Sequence, residues 1–192
     1  MNRKDSVTLA LVTSLKGALG TLEGDDIQIE VEKGVVFVSI SDKLLFDSAS
    51  YTVSKEARRV LGKVAKVVNA KPNIEIMVEG HTDTDPIHTK MFEDNWDLSV
   101  KRATSIVRIL QHQYHVDPSR MIAAGRSEYV PVATNSTAAG KAKNRRTRII
   151  VMPKLNQFFE MIEKGMEKAK QNSQVAPEEI EQVQKELKGS DK

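Results

Sequence analysis

Two short stretches carry the residues best able to do chemistry. The first is Gly80-His81-Thr82-Asp83. The second is Asn95-Trp96-Asp97-Leu98-Ser99-Val100-Lys101-Arg102-Ala103. Residues 74–79 alternate as a strand and run into the first stretch; the second opens a helix. A carboxylate, Asp83, therefore leaves a strand end, and a guanidinium, Arg102, sits in the first two turns of the next helix. Opposite charges on two rigid elements, with a helix N-terminus nearby, suit a ligand bearing both an ammonium and a carboxylate. Arg offers a planar donor fork to a carboxylate, and Asp accepts from an ammonium. On residue type alone, Asp83 reads equally as a turn former, Arg102 as a solvated helix charge and Asn95 as an N-cap.

Other groupings are weaker. His81, Asp83, Asp85 and His88 have a metal-like composition, but neither helical nor strand spacing places all four together, so no metal or other cofactor is expected. Ser99, His81 and Asp83 contain the parts of a catalytic triad. No strained nucleophile turn surrounds Ser99, and no catalytic residue is assigned. Lys141, Lys143, Arg145, Arg146 and Arg148 put five cations into eight residues. Without interleaved aromatics they give base stacking no support, and a nucleic-acid partner is not expected.

The elements that must position these residues follow from periodicity. The chain has 192 residues, 40% hydrophobic and 29% charged, with net charge +3 and no Cys. That is most simply one domain with extensions, held without disulfides. Leu11, Leu15, Ala18 and Leu19 mark a short helix within residues 1–24, packing on the domain edge or ending a linker. Residues 27–31 alternate as a strand, Lys33-Gly34 supplies a turn, and residues 35–40 form the partner strand. Residues 44–48 read as an apolar loop. Ala57, Val60, Leu61, Val64, Ala65 and Val68 make the stripe of a long helix. A second helix, over 95–114, buries Ala103, Ile106, Val107, Leu110 and Tyr114, with Arg102 beside the stripe at the edge of the core. Residues 116–120 read as a turn, 121–125 and 147–152 as strands, and 131–140 as a polar loop. The order β-β-α-β-α-β-β defines an α+β fold, a mixed sheet with two main helices on one face, over residues 25–153. Beyond Pro153, residues 154–169 form an amphipathic helix that folds back or pairs with a second chain as a homodimer, before a frayed tail completes 154–192.

Phe46-Asp47, Gly80-His81-Thr82-Asp83, Asn95-x-x-Leu98-Ser99-x-x-Arg102-Ala103, then Gly125, Pro131, Asn135-x-Thr137 and Asn144-Arg145-Arg146 occur in an order that resembles the OmpA-like peptidoglycan-binding domain, over about residues 27–152. Lys141 stands where that family usually has Arg, and Asp85-Pro86-Ile87 resembles the MotB branch. The resemblance implies that Asp83 and Arg102 grip the zwitterionic head of meso-diaminopimelate in the peptide stem, with Asp47, Asn95 and Arg145 lining the pocket. It also implies a non-catalytic tether in the periplasm of a Gram-negative cell, linking the outer membrane or a membrane complex to the wall. Membrane attachment would come from a lipid, barrel or helix outside these residues. A metal-dependent wall hydrolase using the His81–His88 segment is the alternative from a different class.

Overall fold

The computed structural model describes residues 3–20, 24, 26–32, 35–46 and 51–153. Asp47, the Lys33-Gly34 turn and the helix expected over 154–169 lie outside the described residues. The first helix, α1 (Arg3–Leu19), carries Leu11, Leu15 and Leu19 at i, i+4 and i+8, and all three are buried. They join the main hydrophobic core, so α1 is part of the compact unit that runs from Met1 to Met152. Strands β1 (Ile27–Glu32) and β2 (Val35–Ser41) form an antiparallel hairpin, with Ile27 opposite Ile40 and Glu32 opposite Val35.

A single helical turn, α2 (Asp42–Leu45), replaces the first part of the expected apolar loop. Ser41 nucleates it, its Oγ accepting from the Leu44 N–H at 3.3 Å. Helix α3 (Lys55–Asn69) buries the predicted stripe, and Ser54 Oγ caps it by accepting from Ala57 N–H at 3.0 Å. Then follow β3 (Ile74–His81), α4 (Asn95–His112), one 3₁₀ turn (Pro118–Arg120) and β4 (Met121–Gly125). The expected polar loop ends early. Thr137 Oγ1 accepts from Gly140 N–H at 3.1 Å and starts α5 (Ala138–Asn144), which leads into β5 (Arg146–Pro153).

The sheet order is β1-β2-β5-β3-β4, so the last strand lies in the middle. β2 and β5 are antiparallel, with Ser41 opposite Arg146; β3 and β4 are parallel, with Gly80 opposite Gly125. Period-2 alternation buries Val36, Val38 and Ile40 of β2, Ile74, Ile76 and Val78 of β3, and Ile149 and Val151 of β5, together with the apolar stripes of α1, α3 and α4 in one core. Glu75, Met77, Glu79 and His81, being the alternate residues of β3, belong to the other face.

The segment read as a plain turn contains a buried arginine. Arg120 donates from Nε to Ile74 O at 2.8 Å, and from Nη2 to Val68 O at 2.9 Å and Lys71 O at 2.7 Å. It ties the end of α3 to the start of β3 and satisfies carbonyls that would otherwise be buried unpaired. Because α1 shares the core, Leu15→Ala is expected to cost about 2–5 kcal/mol of stability. Urea unfolding of the variant beside the unaltered protein measures it as a lower midpoint.

Candidate ligand site

The site begins where α4 meets β3 and β4. A Cβ on Gly80 would stand 2.2 Å from Ser99 O, and one on Gly125 would stand 2.4 Å from Ser99 Oγ. Only glycines at these two paired positions let the first turns of α4 rest on the strand ends. Ser99 is fully buried and completes the junction. Its Oγ donates to Trp96 O at 2.9 Å and accepts from Ser127 N–H at 3.2 Å. With these bonds it is a packing residue, not a nucleophile.

This seating brings the charged residues to the ends of β2, β3 and β5. Asp83, just past β3, is buried and pairs with Arg145, the residue that ends α5. Arg102 pairs with Asp42, in the first turn of α2. The sheet register explains why Asp42 is here: Ser41 faces Arg146, and Asp42 N–H donates to Arg145 O at 3.0 Å. Asp42 also feels the charges of Arg145 and Asp83, so the four groups act as one quartet. Burial pushes the Asp42 carboxyl up to about 6, with Arg102 and Arg145 opposing that rise. The Arg102 guanidinium lies 5.1 Å from the centre of the Phe46 ring, which covers it. Its Nε is buried with no hydrogen-bond partner, and so is Asp42 Oδ1.

These contacts correct the expected picture in three respects. Arg102 is not at the edge of the buried stripe but within the buried surface of α4. Asp83 and Arg102 are each engaged by a different partner, Arg145 and Asp42. Asn95 is not the N-cap, which is Asp94, its Oδ1 accepting from Trp96 N–H at 2.8 Å. Asn95 is instead buried, its Nδ2 donating to Asp85 O at 3.0 Å, Asp83 O at 3.3 Å and Glu128 Oε2 at 2.7 Å. It shapes the wall of the site. Lys141 closes the other flank through an ion pair with Asp85.

Behind the strand end lies a second charged cluster, in which Glu79 and His81 are buried and Arg126 is exposed. His81 Nε2 and Glu79 Oε1 are 2.9 Å apart, and Arg126 Nε donates to Glu79 Oε2 at 2.8 Å. Burial favours the uncharged imidazole and lowers the His81 pKa against the pull of Glu79. Burial also acts to raise Glu79, but the hydrogen bonds from His81 and Arg126 outweigh it and bring the carboxyl down to about 2. Arg146 sits nearby, lowered to about 10 by burial and by Arg148, and donates to Asn144 O and Val130 O at 3.1 Å each.

The metal and nucleic-acid groupings do not assemble. His88 is exposed and bonds Glu93 O at 3.1 Å, His81 is committed to Glu79, and among the described residues no three His, Cys, Asp or Glu converge. The five cations of 141–148 are dispersed. Lys141 and Arg145 are paired, Arg146 is buried, and Arg148 stacks on Phe37 at 4.1 Å. Sequence reasoning missed Asp42, for which burial left no signal. It also missed Glu79, although its i, i+2 spacing from His81 on one strand puts the two side by side.

The α+β fold of this chain has counterparts among known proteins. The family model described as "OmpA family" matches residues 45–145, just over half of the chain. The chain belongs to the OmpA family. Motility protein B of Bacillus subtilis is 35% identical over 119 residues, covering 62% of this chain and 46% of that protein, so the chain spans about half of that relative. The crystal structure of a MotB-like protein from Desulfovibrio vulgaris superposes with a TM-score of 0.70 over 80% of this chain and all of that one, at 20% identity, a likeness of fold. The cell wall anchor of the T6SS from Pseudomonas aeruginosa is 33% identical, with a TM-score of 0.66, covering 73% of this chain and 97% of that one.

The Glu79 cluster generates a pH dependence. A carboxyl held near 2 in the folded chain, against an ordinary 4.5, stabilises fully above 4.5 and loses that contribution as pH falls towards 2. Glu79→Gln is expected to lose less stability than the unaltered protein between pH 5 and pH 2.5, by on the order of 2 kcal/mol. Urea midpoints of both proteins at the two pH values check this.

Proposed function

We propose that this domain binds peptidoglycan non-covalently, through the diaminopimelate head of the peptide stem, and tethers a cell-envelope complex to the wall from the periplasmic side. The observation that carries the reading is Arg102. Its Nε is a buried donor without an acceptor, within a quartet of two carboxylates and two guanidiniums. A zwitterion adds one charge of each sign, completes the donor set of Arg102 and leaves the quartet's balance unchanged. Family membership and the likeness to a structure described as a cell wall anchor support the same reading. The domain acts by binding and not by hydrolysis, since Ser99 and His81 are both committed to structural partners.

A lysine side chain ends in an ammonium alone. On lysine-type wall Arg102 gains no carboxylate, at a cost of about 1–3 kcal/mol, so diaminopimelate-type wall is expected to bind about tenfold better. Asp83→Ala should weaken binding to both walls, because both ligands present an ammonium. Arg102→Ala alone would strand Asp42 without its counter-charge, so the informative variant is Asp42→Asn with Arg102→Gln, which should bind both walls alike. Co-sedimentation with the two kinds of sacculi reads these outcomes, with circular dichroism as the folding control. Equal binding of both walls by the unaltered protein would refute the zwitterion reading.

Asp42 adds a pH prediction. It competes with a ligand carboxylate for Arg102, and its carboxyl titrates at about 6 in the fold. Protonating it frees Arg102, so affinity for diaminopimelate-type wall should rise as pH falls from 7.5 to 5.5. Asp42→Asn should abolish that rise, as read by co-sedimentation at the two pH values.

A further inference from the structure

Strand β1 stands at one edge of the sheet. Its hydrogen-bond phase shows what that edge offers. Ser41 N–H donates to Asp26 O at 2.9 Å, and the register continues with Gln28 opposite Ser39, Glu30 opposite Phe37 and Glu32 opposite Val35. Alternate residues of an antiparallel strand bond to the same neighbour, so Asp26, Gln28, Glu30 and Glu32 turn their backbone groups towards β2. Ile27, Ile29 and Val31 turn theirs outward. Ile27 O is taken by Gly24 N–H at 3.0 Å. The outward N–H and C=O groups of Ile29 and Val31 meet no further strand among the described residues. A hollow of about 430 Å³ is lined by Gly24, Ile27, Gln28, Ile29 and Glu30, along the same strand.

The side chains are sorted by face. On the core side Ile27 is buried, Ile29 is half-buried and Val31 is 49% exposed; on the other side Gln28 and Glu30 are exposed. Charge is sorted as well. Residues 21–32 hold five Asp or Glu and no Lys or Arg, in a chain whose net charge is +3.

We propose that β1 is a docking edge for an extended, basic segment of a partner protein, which adds a strand to the sheet. The outward groups of Ile29 and Val31 supply the ladder. Cations at alternate positions of the added strand lie opposite Gln28 and Glu30, and apolar side chains between them lie beside Ile29 and Val31. The acidic row disfavours a second copy as the occupant, because pairing β1 with β1 sets carboxylates against one another. None of these residues belongs to the quartet, so the proposal stands independently of the wall reading.

The probe is the labelled peptide Lys-Val-Lys-Val-Lys-Val-Lys, blocked at both ends, with a counterpart carrying Glu for Lys. Anisotropy should show saturable binding of the basic peptide at about 0.15 M salt and none of the acidic one. Amides of Ile29 and Val31 should gain protection from hydrogen exchange in the complex. The valines of the docked peptide face the edge, so N-methylating one of them should weaken binding about three- to tenfold, while N-methylating a lysine leaves it unchanged. Val31→Pro removes one outward donor and none of the bonds to β2, and should weaken binding by a similar factor. Glu30→Lys should do the same through charge. The proposal is overturned if the basic peptide does not bind, or if its binding ignores both valine N-methylation and Val31→Pro, which would make it attraction between charges alone. It is equally overturned if the unaltered protein sediments as a dimer that Val31→Pro dissociates, which would make β1 an interface between copies. Circular dichroism controls for folding; should Val31→Pro fail to fold, the N-methylated peptides and Glu30→Lys decide.

Discussion

The site depends on how closely α4 lies on the ends of β3 and β4. Gly80 and Gly125 face each other across the parallel pair, and the backbone and hydroxyl of Ser99 occupy the space that side chains there would fill. That contact sets the height of the helix above the sheet. Arg102 is one turn further along the same helix and Asn95 one turn back, so both inherit their positions from it. A methyl group at either glycine would force the helix outward by more than the tolerance of a hydrogen bond. The two glycines are therefore part of the candidate site although neither carries a side chain.

The second constraint is electrostatic. Asp42, Asp83, Arg102 and Arg145 come from four separate pieces of chain; Asp42, Asp83 and Arg145 sit at the ends of regular elements and Arg102 within α4. Pairing Asp83 with Arg145 and Arg102 with Asp42 keeps four charges in a partly desolvated place without a net excess of either sign. Removing one member exposes another to the full cost of burial. The Glu79–His81–Arg126 cluster serves a different purpose. It holds the end of β3, two residues before Asp83.

Much of this was legible beforehand where local pattern and tertiary packing agree. The stripes of α3 and α4, the alternation of β2 and β3 and the glycines of the ordered motifs all pointed to a mixed sheet with helices on one face. The fold brings Asp83, Arg102, Asn95 and Arg145 to one end of that sheet. Their pairing was not legible, because it depends on the register between β2 and β5, which sets Asp42 beside Arg145 across about a hundred residues of sequence. Arg120 escaped notice for a similar reason: nothing in Asp117-Pro118-Ser119-Arg120 reveals that three carbonyls, from α3, β3 and the turn between them, converge on its guanidinium. Short helices such as α2 and α5 rest on single caps, Ser41 and Thr137, and leave too few residues for any periodicity to show.

The central place of β5 has a consequence for how the domain comes into being. The strand made last must enter between β2 and β3, which are formed from earlier sequence and would otherwise leave two unpaired edges in the middle of the sheet. Arg145 arrives with it, so the quartet does not exist until β5 has been made. Assembly of this kind is dominated by contacts distant in sequence and is slow compared with that of helical bundles. While the chain is threading, that set of charges is incomplete. The quartet therefore appears all at once, in step with closure of the sheet.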